Sequence, residues 1–405
     1  MSGTTEEPEK SGAAPLGRRG FLASAALAAT VPAVAADPAL AATADPCAGA
    51  TGHAAAVTAA THAVPVTASQ AGAPAAGTDG DSVTRLLSVP QRQRDIHWLR
   101  SALQLAVGLE LATLPPYLCA WWSVKDRNSE AARLIKRVID DEMYHLGVVC
   151  NLTLAVGGRP RVRQAAPVYP GPLPGGVHKG VTIHLSGLTK ALVHDVMMAI
   201  EAPESPLARS VGAAPSIGVF YEDLLQTFRS VSPELSGTGQ LSVRIGSDLL
   251  RPAATPDDVD RSIEIIKEQG EGTDSSPDDT FENDHPAHYY AFGEIYHGRR
   301  LRVTRGTWQY DGAVVPFPAA RPMARVPADG WPHAPARVRT LLDQFDTTYT
   351  AVLDGLDSAW SGGGGRALSA AVHSMRGLED LAVQLMETGI AGGKSTYGPR
   401  FRAHS

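Results

Sequence analysis

The chain is short of cysteine, of net charge and of long apolar runs. Its three cysteines in 405 residues, Cys47, Cys119 and Cys150, are too few for a disulfide scaffold, and no Cys-x-x-Cys is present. That argues against a zinc ribbon and against covalently attached c-type haem, which both need closely spaced thiols. Cys119 and Cys150 fall on predicted helices, where the ordinary reading is a small buried hydrophobe. A net charge of −6 shows no basic excess, so nucleic acid is not an expected partner. Beyond the N-terminal region, no segment is expected to supply the roughly 18 apolar residues of a membrane span. Aromatic residues are scarce at 6%, but hydrophobic residues reach 43%, ample for a large core.

The N-terminal part lacks the pattern of a fold. Residues 1–36 read as an export signal: Arg18-Arg19-Gly20-Phe21-Leu22 leads into an Ala-rich apolar run, with Ala33-Val34-Ala35 as a small-residue cleavage site. Paired arginines before a modest apolar run resemble a twin-arginine signal, a route that carries folded proteins. The expected location is therefore extracytoplasmic or secreted, with no membrane attachment once the signal is removed. Residues 37–82 are nearly all Ala, Thr, Gly, Pro and Val. Such a stretch cannot bury enough surface to offset its ordering entropy and is expected to be a disordered linker. The folded domain is expected over 83–405.

From Val83 onward the apolar period becomes helical. A first long helix, Ile96 to about Val124, carries Glu110 inside Val107-Gly108-Leu109-Glu110-Leu111-Ala112. A carboxylate buried in such surroundings must be paired or bind a metal. Pro115-Pro116 follows, predicting a kink and freed carbonyls, and then Tyr117, Trp121 and Trp122 cluster. A second helix runs from the Ser129 cap to Gly157-Gly158. Glu142 and His145, three residues apart at its middle, project from one face. Asp141 can orient His145 from four residues ahead, although the solvent face is the ordinary place for such an Asp.

Residues 159–187 are rich in Pro and Gly and read as an excursion, and a short helix over Leu188–Glu201 stops at Pro203. A third helix, about Pro215 to Arg229, carries Glu222. After a loop with a hairpin near Gln240–Ile245, Thr255-Pro256-Asp257-Asp258 starts a fourth helix, with Glu264, Glu268 and Glu271 on one stripe. A polar loop interrupts it from Thr273 to Asp284. It resumes from His285, with His288 on its apolar side. Two packing helices follow, Ala336–Ala359 and Arg366–Gly389.

Four helices thus each offer a carboxylate, and two offer a histidine. The expected fold is all-α: a four-helix bundle with long loop insertions and two additional C-terminal helices. The expected metal ligands are Glu110, Glu142, His145, Glu222, Glu268 or Glu271, and His288, a composition like that of carboxylate-bridged metal bundles. The second half is irregular, because Asp274 and not a histidine stands three residues after Glu271. Carboxylate and imidazole donors without thiolates suit iron, as one ion or two, or manganese. Tyr117, Tyr144 and Tyr221 are the candidate catalytic side chains, as radical or proton-transfer partners.

Several blocks resemble the ferritin-like iminophenyl-pyruvate dimer synthase family. They are Leu109-Glu110-Leu111-Ala112-Thr113-Leu114-Pro115-Pro116, Asp141-Glu142-x-x-His145-Leu146, Ile200-Glu201-Ala202-Pro203-Glu204, Phe220-Tyr221-Glu222, Glu268-Gln269-Gly270-Glu271-Gly272, His288-Tyr289-Tyr290-x-Phe292 and Gly398-Pro399-x-Phe401. The resemblance spans about Asp95 to Phe401, in order. It implies a ferritin-like fold and an iron-dependent oxidoreductase that couples amino-acid-derived imines in secondary metabolism, as in violacein, rebeccamycin and staurosporine-type pathways. The partners would be a small organic substrate and O2 or peroxide, in a monomer or homo-oligomer. Two other classes stay open: a non-catalytic ferritin-like metal binder, and a haem protein using His145 or His288 as axial ligand.

Overall fold

Helix α2 (Ile96–Ser123) is the spine on which the site is assembled. It starts where the Asp95 carboxylate accepts hydrogen bonds from His97 N and Trp98 N, at 3.0 and 2.9 Å. That cap satisfies two of the free donors that begin any helix. The structure, a computed structural model, describes residues 82–203, 215–271 and 285–404, all within one unit spanning Gly72–Ser405. The expected export signal, the linker up to residue 81, the loop over 272–284 and the Glu271 side chain lie outside the described residues.

By length and composition α2 would suit a membrane span, which corrects the expectation that no later segment would. With 83% of its most apolar 18-residue window buried inside the protein, it has the surroundings of a core helix. Pro115 and Pro116 sit inside it without ending it. Each proline removes the N–H that would bind the carbonyl four residues back. One freed carbonyl, Ala112 O, instead accepts the Tyr169 hydroxyl at 2.8 Å.

A short helix α1 (Ser82–Ser88) precedes α2, and α3 (Glu130–Ala155) packs along it, capped by Ser129 Oγ accepting from Ala132 N. Next, α4 (Lys190–Leu192) runs on as a π turn, Val193–Met198, toward Glu201. Helix α5 (Ile217–Val231) packs on α6 (Pro256–Glu271), and α7 (His288–His297) packs on the π turn, α3 and α6. Helix α6 starts where Thr255-Pro256-Asp257-Asp258 places it, and the cap is reciprocal: Asp258 N donates to Thr255 Oγ1 at 3.2 Å and Thr255 N to Asp258 Oδ2 at 2.9 Å.

Among the described residues the strands form three short antiparallel pairs: β1 (Gly171–Pro172) with β2 (Thr182–Ile183), β3 (Val243–Ile245) with β4 (Asp248–Leu250), and β5 (Arg302–Thr304) with β6 (Thr307–Gln309). The hairpin expected near Gln240–Ile245 lies slightly further on, because the chain turns at Gly246, whose φ of 57° a glycine adopts without strain. Helices α8 (Ala336–Ser358) and α9 (Gly364–Met386) are joined by a second π turn, pack on each other and contact the bundle through α2. Cys119 and Cys150 are buried and unpaired, and burial pushes both thiols up, so they behave as the small core residues expected of them.

Candidate metal centre

Two buried groups of donors meet at one shared carboxylate. Glu110, Glu142 and His145 form the first, and Glu142, Glu201 and His288 the second; within each, one donor atom per residue lies within 4.8 Å of the others. Their origins follow from helix geometry. Glu110 comes from α2, Glu142 and His145 from one face of α3, Glu201 from just beyond the π turn, and His288 from the start of α7. All five are at most 6% exposed.

Glu142 stands between the histidines. Its Oε1 is 3.8 Å from His145 Nδ1 and 2.8 Å from His288 Nδ1, while its Oε2 accepts the Thr113 hydroxyl at 2.8 Å. Glu110 Oε2 is 3.6 Å from His145 Nδ1, and Glu201 Oε2 is 3.7 Å from His288 Nδ1. The two rings stack with centroids 5.6 Å apart. Both histidines therefore turn Nδ1 inward. Their Nε2 atoms are held from behind: His145 by Gln269 Oε1 at 2.7 Å, His288 by Asp141 Oδ2 at 3.3 Å. An acceptor at Nε2 holds one proton there, so the proton a metal would displace is the one on Nδ1, and its loss turns the Nδ1 lone pair toward the carboxylates.

Tyrosines hold the outer carboxylates. Tyr117 donates to Glu201 Oε1 at 2.5 Å, and Tyr221 donates to Glu110 Oε1. Burial, reinforced by the neighbouring carboxylates, keeps both phenols protonated well above their usual range. Burial also lifts Glu142 to about 7, with the Glu201 charge adding to it and the two histidines opposing. For His145, burial disfavours the charged ring, but the facing carboxylates of Glu110 and Glu142 prevail and raise it to about 8. The same contest, with Asp141, Glu142 and Glu201 on the winning side, raises His288 well above an ordinary imidazole.

This arrangement fits a metal ion. Three carboxylates crowded in a dry interior repel unless a cation joins them. His288 Nδ1 faces Glu142 Oε1 at 2.8 Å and Glu201 Oε2 at 3.7 Å yet makes no hydrogen bond to either, which leaves a buried nitrogen unsatisfied. The donor set is carboxylate and imidazole with no thiolate, which suits iron or manganese.

Of the residues singled out in the sequence, the structure brings together Glu110, Glu142, His145 and His288, with Tyr117 and Tyr221 beside them. Tyr144 is buried next to His145, ring centroids 6.2 Å apart. Glu222 is elsewhere. It accepts from Lys267 Nζ at 2.5 Å and from Gln226 Nε2 at 2.8 Å, which lowers its pKa, Lys267 contributing most. The reason is one residue of helix phase: on α5 it is Tyr221 that turns inward, and its neighbour points about 100° away. On α6 the inward side chain is Gln269, while the half-buried Glu268 joins neither donor group among the described residues.

Two participants were missed. Glu201 ends the apolar run Val196-Met197-Met198-Ala199-Ile200 just before Pro203, the same signal that marked Glu110. Gln269, an amide, carries no such signal. Asp141 also differs from expectation: it is buried, not on the solvent face, and it serves His288, because α3 turns it toward α7.

The fold and site thus define an all-α bundle with a buried carboxylate–histidine centre. Residues 103–297 match the family described as Ferritin-like. A crystal structure of a ferritin-like protein from Caulobacter vibrioides is similar, with a TM-score of 0.53 and 24% identity over 75% of this chain and 97% of that one. No curated protein matches. The fold is ferritin-like, with α8 and α9 beyond the matched span.

Proposed function

We propose that this protein is a metal-dependent oxidoreductase that uses iron, with O2 or peroxide, on a small organic molecule. The observation that carries the reading is the sharing of Glu142 between two buried donor groups. Glu110, Glu142 and His145 would hold one metal, and Glu142, Glu201 and His288 a second. Iron held there supplies one-electron redox chemistry toward O2 or peroxide. The chain's own residues do the rest. Gln269 and Asp141 fix the imidazoles, Thr113, Tyr117 and Tyr221 fix the carboxylates, and the apolar walls of α2 and α3 exclude water.

The substrate class we infer is an imine or enamine derived from an aromatic amino acid, coupled oxidatively. Support for it is the ordered run of motifs from Asp95 to Phe401. The paired arginines Arg18-Arg19 before an Ala-rich run support export of the folded, metal-loaded chain. Carboxylates face both histidines on the side where an axial haem ligand would need a flat apolar slot, which favours the non-haem reading.

Metal analysis with an optical spectrum of the protein from its own host tests this. Iron at one or two per chain without a Soret band, together with oxidation of an aromatic imine, is the expected result. A Glu142→Gln, His145→Ala double variant that keeps full metal and full activity would overturn it. Metal retained with no turnover of any imine would leave the non-catalytic metal binder.

A further inference from the structure

Away from the metal centre, a cavity of about 680 Å³ opens between the bundle and the C-terminal helices. That volume lies within the usual range for small-molecule sites. Leu118 and Met143 wall it from α2 and α3, Ile245 from the β3–β4 hairpin, Val352 from α8 and Met375 from α9. None of the five centre residues lines it. Helix phase explains the separation, since Leu111 and Met143 each follow a centre residue by one position and so point about 100° around their helix from it.

The cavity depends on elements outside the residues matched to the Ferritin-like family, because α8 and α9 follow residue 297. Its apolar lining is not fully covered: Val372 is 43% exposed, and Trp121 and Met375 are half-buried. Its ionic groups are unequally matched. Asp140 is paired with Lys136 Nζ at 2.6 Å, and Glu379 with Arg127 Nη2 at 2.8 Å. Arg244 and Arg376 also line it, are exposed, and form no ion pair among the described residues. Arg244 gives one Nη to Ser247 O at 2.5 Å. The acids are thus neutralised, and two guanidinium charges remain beside an apolar hollow.

We infer that this cavity binds an amphipathic organic anion, with an aliphatic or aromatic body lying between α2, α3, α8 and α9. Arg244 and Arg376 meet its carboxylate head. A guanidinium offers a planar fork of donors that matches a carboxylate. A neutral or cationic amphiphile of the same body loses that match, and a cation is repelled.

The test uses the full chain with 1-anilinonaphthalene-8-sulfonate as the reporter. Sodium dodecanoate, dodecanol and dodecyltrimethylammonium are compared as competitors. Trp121, Trp122 and Trp360 line the cavity and give a second, intrinsic signal. Dodecanoate is expected to displace the reporter at a concentration about tenfold below that of dodecanol, the size of one charge-assisted contact. In Arg244→Glu, Arg376→Glu protein that preference disappears while dodecanol is unchanged. Val372→Trp narrows the hollow and weakens both competitors, with near-UV circular dichroism showing the variant folded. Equal potency of acid and alcohol, preference for the cation, or an unchanged acid preference in the double arginine variant would each overturn the proposal. So would loss of reporter binding as the chain self-associates with rising concentration, since a second copy would then be the occupant.

Discussion

The two histidines reach the centre through the same atom but are backed differently. Behind His145 stands a neutral amide, Gln269 Oε1 at 2.7 Å; behind His288 stands a carboxylate, Asp141 Oδ2 at 3.3 Å. Both partners fix the ring and its tautomer. Only the carboxylate also makes the imidazole a stronger base, and so a stronger metal ligand. The two rings are equally buried, but Glu142 Oε1 lies 2.8 Å from His288 Nδ1 against 3.8 Å from His145 Nδ1, so His288 differs both in the charge behind it and in the carboxylate in front. It teaches that two donor groups sharing a carboxylate can still be unequal, and if each takes a metal as proposed, the His288 half is expected to be the tighter.

The largest expected effect erases the comparison. Glu142 belongs to both halves, so Glu142→Gln is expected to cost both metals, more than the roughly 10–100-fold that an outer partner is worth. Metal titration by isothermal calorimetry reads this directly. Retention of one tight site would show that Glu142 is not shared.

Next in size, Asp141→Asn tests the stronger half. It should weaken the His288 half by about 10–100-fold and leave the His145 half unchanged. Gln269→Ala should do the reverse, with a smaller effect. In the parent protein the two sites should fill in sequence, and Gln269→Glu should bring them closer together. Equal affinities in the parent, or equal losses from the two variants, would break the comparison.

Proton linkage follows in size. Without metal, Glu142 is raised to about 7 and His145 to about 8, so the folded protein binds more protons than the unfolded chain across that interval. By linkage, metal-free stability falls as pH rises from about 5 to 8, by roughly 1.4 kcal/mol per pH unit for each proton carried only by the folded state. Asp141 is lowered, and its contribution changes only below its ordinary carboxylate range, outside that interval. Metal binding requires the ligands deprotonated, so affinity should run the other way and rise with pH through that interval, with His288, also raised, adding to the rise. Thermal unfolding of metal-free and metal-loaded protein at several pH values gives both slopes. Parallel slopes would show that these groups do not release protons to the metal.

The same two halves mark how far the sequence can be read. The Glu142–His145 half rests on three-residue spacing within one continuous helix, a local relation that periodicity reports. The four apolar helices, the Thr255–Asp258 cap and the C-terminal pair were legible for the same reason. The His288 half depends on which of several helices returns to the centre and in what phase. Glu201 reaches it from beyond a π turn, whose i→i+5 bonding puts more residues in each turn and shifts the register that an ideal helix would give. Gln269, not Glu268, turns inward on α6, and no count of charges selects an amide. Phase across loops is a tertiary property, and single-chain periodicity does not carry it.

The smallest expected effect concerns Glu222, the carboxylate that spacing favoured and packing turned away. It is half-exposed and bonded to Lys267 and Gln226, on a different side of α5 from Tyr221. An ion pair in that position contributes at most about 1 kcal/mol. Glu222→Ala should therefore leave metal stoichiometry and both affinities unchanged, with only a small drop in thermal stability. Tyr221→Phe, one residue away, should instead loosen Glu110 by removing its hydroxyl donor and weaken the His145 half alone. If Glu222→Ala lowers metal content as much as Tyr221→Phe, the phase of α5 differs from that described, and the third carboxylate is not Glu201.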